Sequence, residues 1–277
     1  MKQRTLSTKD IREIDAMVRH FNTNQTLFKV VVESLTSYIA SSSKLASLIH
    51  STKQRIKDPE HLRAKLVRKF LEAKESGEAL DYSVENLFTR VNDLAGFRII
   101  HLHTTQLEAI HNELTKIFND QRWIIVEGPV AKTWDDENRR YFRDHLSMAT
   151  EDSESLYTSV HYVVQPNSRH EVTCELQVRT LMEEVWGEVD HTINYPEKSP
   201  VQACREQIKV LARMTSACSR LVDSIFLSSS PQHMTAGNAG TVPARKTSNA
   251  RKASGTSPPV RRRATHSTNK AKPSRSA

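Results

Sequence analysis

The sequence predicts an α/β (α+β) fold: a mixed, partly antiparallel five-stranded sheet flanked by helices. Three observations predict it. Apolar residues recur at three- and four-residue steps over 7–21, 25–50, 181–193 and 201–227, the period of amphipathic helices. Between them, 54–57, 97–102, 123–126, 157–165 and 171–179 read as extended or alternating runs, the period of strands. Finally, Pro166-Asn167-Ser168 separates the last two runs, so they pair as a hairpin and part of the sheet is antiparallel.

Each element has its own pattern. The first helix places Ile11, Ile14, Val18 and Phe21 on one stripe. The second, 25–50, does the same with Phe28, Val31, Val32, Leu35, Ile39, Leu45 and Ile49. After the short extended piece 54–57, a helix starts near Pro59, a residue suited to a first turn, and carries Leu62, Leu66 and Phe70. Strand 97–102 leads to a helix over 105–118, and strand 123–126 ends at Gly128-Pro129. The polar stretch 130–155 reads as a long loop with one helical turn. Helix 181–193 is expected to turn Met182, Val185, Trp186, Val189 and Ile193 inward. The last helix aligns Cys204, Ile208, Leu211, Thr215, Cys218, Val222 and Ile225, a stripe for packing on its own domain rather than a dimer seam. The expected organisation is N-terminal helices over 1–50 that pack on a main domain over 51–227, and a basic tail over 228–277. That tail has no aromatic residue and is expected to be disordered.

Composition narrows the function. The net charge of +8 is uneven: ten of the 40 basic residues and none of the 32 acidic ones lie from Ser228 onward. The remaining body carries 30 against 32 and is close to neutral. The tail is either a solubilising extension or a segment that binds RNA through phosphate contacts. No run approaches the roughly 20 apolar residues of a membrane span, and the N-terminus lacks an apolar signal core, so the expected location is cytoplasmic. The three cysteines form no CxxC and suit a reducing compartment, with Cys204 and Cys218 as inert packing. Only seven glycines are present, and neither GxGxxG nor GxxxxGK[ST] can be written from them. Phosphate binding therefore has to rely on side-chain cations.

Three segments can carry chemistry. In the hairpin, Tyr157, Ser159 and His161 share one face and Glu175, Gln177 and Arg179 share one face of the return strand. Both apolar sets must meet the core, which puts the two polar sets side by side. A five-residue loop sets His161 opposite Glu175; a three-residue loop sets Ser159 there. Alternatively this face is simply solvated. Asp93 sits before a strand and beside Gly96. With Glu175 it can hold one Mg²⁺, or it can serve only as a turn residue. From Lys53 to Lys74 eight cations face three acids, and Lys65, Arg68 and Lys69 fall on one helical face, either a solvated surface or a phosphate cradle.

Together these segments resemble the synthetase domain of the RelA/SpoT family of alarmone synthetases. Gln54-Arg55-Ile56-Lys57, Lys65 and Arg68-Lys69 resemble its basic nucleotide loop and helix. Asp93 to Arg98 match its D-x-x-G-x-R, Tyr157 to His161 its Y-x-S-x-H, and Glu175 to Thr180 its E-x-Q-x-R-T. Trp186 through His191 to Tyr195 resembles the helix that follows. The resemblance implies a nucleotidyltransferase-like fold and a pyrophosphokinase that moves the β,γ-diphosphate of ATP to the 3′-hydroxyl of GDP or GTP. It implies that Arg55 and Arg98 clasp adenine, and that Lys57, Lys65, Arg68 and Lys69 hold ATP phosphates. Asp93 and Glu175 would ligate Mg²⁺, with Glu175 otherwise the general base. Tyr157, Ser159, His161, Gln177 and Arg179 would face the acceptor. Departures fall on the acceptor side: Leu156 replaces a glycine, 149–155 is acidic, and Tyr195 is followed by Pro196. The alternatives are an adenosine nucleotide or a tRNA 3′-end as acceptor, or a non-catalytic nucleotide- or RNA-binding protein. The length suggests a small stand-alone synthetase, and homo-oligomers are common among such proteins.

Overall fold

The computed structural model describes residues 5–153, 155–194 and 198–229. The expectations for Tyr195-Pro196 and for the tail from Ser230 lie outside these residues.

Helix α1 (Thr8–Thr23) starts at Ser7, whose hydroxyl accepts from the Asp10 N–H while the Asp10 carboxylate accepts from the Ser7 N–H. It buries Ile14, Met17 and Phe21. The helix expected over 25–50 is broken. Helix α2 (Gln25–Ser41) stops at Ser42, whose backbone is extended and whose hydroxyl caps α3 (Ser43–Leu48) through the Leu45 N–H. Three consecutive serines compete with the helix for backbone groups, and that competition ends it. Ile49 then opens strand β1 (Ile49–Ile56), twice the length of the piece expected at 54–57. Asp58 caps α4 (Pro59–Ser76), which is pinned to α1 by Arg63–Asp15 at 3.2 Å and by the Lys74–Asp10 ion pair. A short helix α5 (Leu87–Arg90) leads to β2 (Ala95–His101), and α6 (Leu107–Asp120) follows.

The sheet has six strands, in the order β1-β2-β6-β5-β3-β4. The sixth comes from 130–155, which is not a loop. Strand β3 (Ile124–Thr133) runs past Gly128-Pro129 with two irregular register steps, then α7 (Asp136–Leu146) and β4 (Ala149–Asp152) follow. The irregularities erase the period-2 signal, and α7 buries only Phe142 on an otherwise charged surface, so neither element has a readable stripe. Pairing is parallel for β2/β6 and β3/β4 and antiparallel for β1/β2, β5/β6 and β3/β5. The hairpin strands are β5 (Ser159–Gln165) and β6 (Cys174–Thr180). Val160, Tyr162 and Val164 face Val178, Leu176 and Cys174, as burial demands. The loop is longer than expected, so His161 pairs with Gln177 and Val163 with Glu175. A shift of two residues preserves the faces; a shift of one would have inverted them.

Helix α8 (Leu181–Asn194) departs most from its pattern. Val185, Val189 and Ile193 are 47%, 39% and 43% exposed, while Glu183, Glu184 and Trp186 are buried. Cations on three strands draw the Glu184 carboxylate inward, while Glu183 turns in to accept from the Thr158 N–H. Helix α9 (Gln202–Ser229) buries Ile208, Ala212, Thr215, Ser216 and Ser219 and leaves Cys218 and Ile225 outside. Small residues on its inner face let it approach Trp186, whose indole N–H donates to Ile208 O at 3.1 Å. Among the described residues no helix is long and apolar enough to cross a membrane.

Candidate active site

Strands β1, β2, β6 and β5 and the stretch of α8 from Trp186 to Asn194 enclose a cleft of about 640 Å³. Arg55, Arg98, Tyr157, Gln177 and Arg179 line it. A second cleft of about 300 Å³ holds Lys65, Asp93, Glu127 and Glu151. His161, Glu175 and Lys132 line both, so they mark where the two meet.

Asp93 follows α5 and precedes β2. Its Oδ2 accepts from Lys57 Nζ and its Oδ1 from Lys65 Nζ, both at 2.8 Å. Burial pushes this carboxyl up, but the Lys65 and Lys57 ammonium groups outweigh it and hold Asp93 below the usual carboxylate range. The result is one ionised carboxylate between two cations, at the place where β1 leaves the sheet and α4 passes above.

At the junction His161 links two groups. Its Nδ1 lies 2.9 Å from Glu175 Oε1 and its Nε2 lies 2.7 Å from Ser159 Oγ. Burial raises the Glu175 carboxyl, yet the hydrogen bond and charge of His161 bring it below its ordinary value. The chain Ser159–His161–Glu175 has the connectivity of a hydrolase triad. Ser159 is only 2% exposed, however, and lies off both clefts. Its hydroxyl orients His161 and is not placed to attack a substrate. Neighbouring carboxylates Asp93 and Glu175 interact across the smaller cleft.

At the far end two arginines stand on neighbouring strands, on one face of the sheet. Arg55 pairs across β1/β2 with Gly96, and a Cβ there would sit 3.3 Å from Arg55 Cγ. Glycine thus lets the arginine stem lie flat over the strand. Arg98 Nη1 donates to both Glu184 oxygens at 2.9 and 3.1 Å. Arg179 also pairs with Glu184, and a Cβ on Gly187 would press on its guanidinium at 2.8 Å from Nη1. Tyr157 leans on His161 with ring centroids 5.8 Å apart. The residue before it, Leu156, has φ 60°, a left-handed conformation that glycine takes without strain. The loop keeps that conformation with a leucine, which packs against the cluster of Trp186, Ile208 and Ala212.

The structure therefore gathers Arg55, Arg98, Tyr157, His161, Glu175, Gln177 and Arg179 at the larger cleft, with Lys57, Lys65 and Asp93 beside them. It does not bring Arg68 or Lys69 there. Both pair with Glu72 on the outer side of α4, at 3.6 and 2.8 Å. Sequence reasoning missed Lys132, because its strand was read as loop, and Glu183 and Glu184, because acids at a helix start look like ordinary caps.

Glu183 is 3% exposed and accepts from the Thr158 N–H at 3.0 Å. Burial pushes its carboxyl up to about 7. An unfolded chain ionises near the ordinary value of 4.5, so the folded state binds the extra proton between 4.5 and 7 and loses stability as pH rises through that window. Glu183→Gln keeps the acceptor and removes the penalty. Thermal unfolding is expected to show a gain on the order of 3 kcal/mol at pH 8 that largely vanishes near pH 5.

Solved structures share this fold. Small alarmone synthetase 2 from Bacillus subtilis is 19% identical, over 75% of this chain and 98% of its own, with a TM-score of 0.53. A GTP pyrophosphokinase family protein from Streptococcus pneumoniae is 17% identical, over 86% of this chain and 100% of its own, with a TM-score of 0.52. No curated protein sequence matches the chain significantly. The family model described as the region found in RelA / SpoT proteins matches residues 54–200, more than half of the sequence, and the chain belongs to that family.

Proposed function

We propose that this chain is a pyrophosphokinase that transfers the β,γ-diphosphate of ATP to the 3′-hydroxyl of GDP or GTP, forming (p)ppGpp and AMP. One observation carries the reading: a cleft with two arginines at one end meets, at His161 and Glu175, a second cleft in which Asp93 is held between two lysines. Such a layout suits a nucleotide lying with its base at the arginines and its phosphates toward the lysines. Both relatives named above carry an alarmone or GTP pyrophosphokinase description, in keeping with that reading.

In this reading adenine lies against the Arg55 and Arg98 guanidinium planes, which stack well on π faces. Lys57 and Lys65 take the ATP phosphates, and Arg68 and Lys69 would have to leave Glu72 to join them. Tyr157 stacks on the acceptor base, with Gln177 and Arg179 beside it and His161, oriented by Ser159, near its phosphates. Asp93 and Glu175 fit Mg²⁺: both carboxylates line the smaller cleft and are held ionised, and Asp93 would offer its oxygens once Lys57 and Lys65 turn to the phosphates. That suits an ion bound by one or two carboxylates plus substrate phosphates and water. When bound, it would neutralise phosphate charge. Glu175, ionised at neutral pH, receives the 3′-hydroxyl proton as that oxygen bonds to the β-phosphorus. The bond from the β-phosphorus to the α-phosphate oxygen breaks, and its electron pair leaves with AMP. Positioning and charge neutralisation supply most of the acceleration.

Chromatography of nucleotides after incubation with ATP, Mg²⁺ and GDP tests the reaction type. Acceptor-dependent AMP is the expected product. ADP in its place would mean a single phosphoryl transfer and would refute the reading.

A further inference from the structure

One buried carboxylate outside the machinery assigned above gathers much of the cleft's positive charge. Glu184 sits in the first turn of α8 and is 4% exposed. Its Oε1 accepts from Lys53 Nζ at 2.8 Å and Arg98 Nη1 at 2.9 Å, and its Oε2 accepts from Arg98 Nη1 and from Arg179. Those cations come from three strands. Lys53 and Arg98 are direct cross-strand partners on β1 and β2, an arrangement that repels unless a counterion intervenes. Burial and the charge of Arg98 both work against the Arg179 guanidinium. Glu188 also reaches Lys53 and Arg98, at 3.0 and 3.3 Å, but its side chain is 54% exposed, so solvent weakens those contacts. Glu184 is not itself a lining residue of the larger cleft; it stands behind the wall.

We propose that Glu184 is a positioning residue for nucleotide binding, holding the Arg98 and Arg179 guanidinium groups in the cleft wall against their mutual repulsion. Its effect on ATP passes through Arg98 and so rests on the reading that Arg98 contacts the adenine. Removing the charge leaves three cations to separate. Arg98, at 26% side-chain exposure, has the room to swing toward solvent.

Binding of a non-hydrolysable ATP analogue with Mg²⁺, by calorimetry on the full chain, tests this. The contact at stake is one guanidinium stacked on the adenine, so Glu184→Gln is expected to weaken binding about tenfold. Glu184→Asp, which keeps the charge, should recover most of it. In turnover the loss should fall on KM for ATP more than on kcat. The decisive readout is a double-mutant cycle with Arg98→Gln. If Glu184 acts through Arg98, the double variant binds no more weakly than Arg98→Gln alone. Losses that multiply overturn the proposal, as does a Glu184→Gln variant that binds within about threefold of wild type, under 1 kcal/mol. Should Glu184→Gln fail to fold, Glu184→Ala, which removes the charge without leaving a new polar group buried, takes its place in the cycle with the same expected non-additivity. A wild-type chain that binds no analogue overturns the ATP reading itself, and this inference with it.

Discussion

Asp93→Asn is expected to lower the rate of diphosphate transfer by about 10³-fold while leaving KM for ATP unchanged or lower. The carboxylate is the one negative group between Lys57 and Lys65, each 2.8 Å away. Asparagine has nearly the same shape but no charge and binds Mg²⁺ poorly. A metal ion supplies several kcal/mol of charge stabilisation in the transition state, and each 1.36 kcal/mol is a factor of ten in rate. The freed lysines remain able to grip phosphates, which is why affinity should hold while turnover falls. Steady-state rates at saturating ATP and Mg²⁺ check this; a variant above one tenth of the wild-type rate would remove Asp93 from the metal site. Stability follows a separate rule. The Asp93 carboxyl sits below its ordinary 3.8, so its ion pairs stabilise the fold above that value and fade as pH falls through the lowered one. The Asn variant should therefore be the less stable protein at pH 7, and the gap should close in acid.

Glu175→Gln is expected to cost 10²–10⁴-fold in kcat, the usual worth of a positioned general base. Glutamine retains an oxygen to accept from His161 Nδ1, so the β5/β6 face should stay intact and the melting point should move little. Because His161 holds Glu175 below its ordinary 4.5, the base is already ionised throughout the neutral range. Wild-type activity should thus show no Glu175-dependent fall between pH 8 and 6. If excess Mg²⁺ restored the Gln variant, Glu175 would be a metal ligand only, and its assignment as base would fail.

Much of this site was legible in the sequence because it lies on regular strands. Alternation placed His161 and Glu175 on one face of the sheet before the register was known, and a shift of two residues in the hairpin left that relation intact. Asp93, Lys57 and Lys65 came from motif order, and they meet in one ion-pair cluster. The family match over residues 54–200 covers the same span. What stayed illegible has physical causes. Strand β3 pairs with β5 through two irregular steps, so no clean alternation announces it, and β4 and Lys132 were lost with it. The break at Ser42 depends on side-chain capping, which an apolar stripe does not register. Glu184 is buried by cations that approach from three strands and Glu183 by the Thr158 N–H, tertiary effects outside the helix's own period. Arg68 and Lys69 share a helical face with Lys65 only loosely, and one turn further along α4 they find Glu72 instead of the cleft.

The most direct measurement follows label from the terminal phosphates of ATP to a panel of acceptors: GDP, GTP, ADP and tRNA. Transfer to GDP and GTP, abolished by Asp93→Asn, is the predicted result. Label on ADP or on the tRNA 3′-end alone, or on no acceptor at all, would contradict a guanosine-directed pyrophosphokinase.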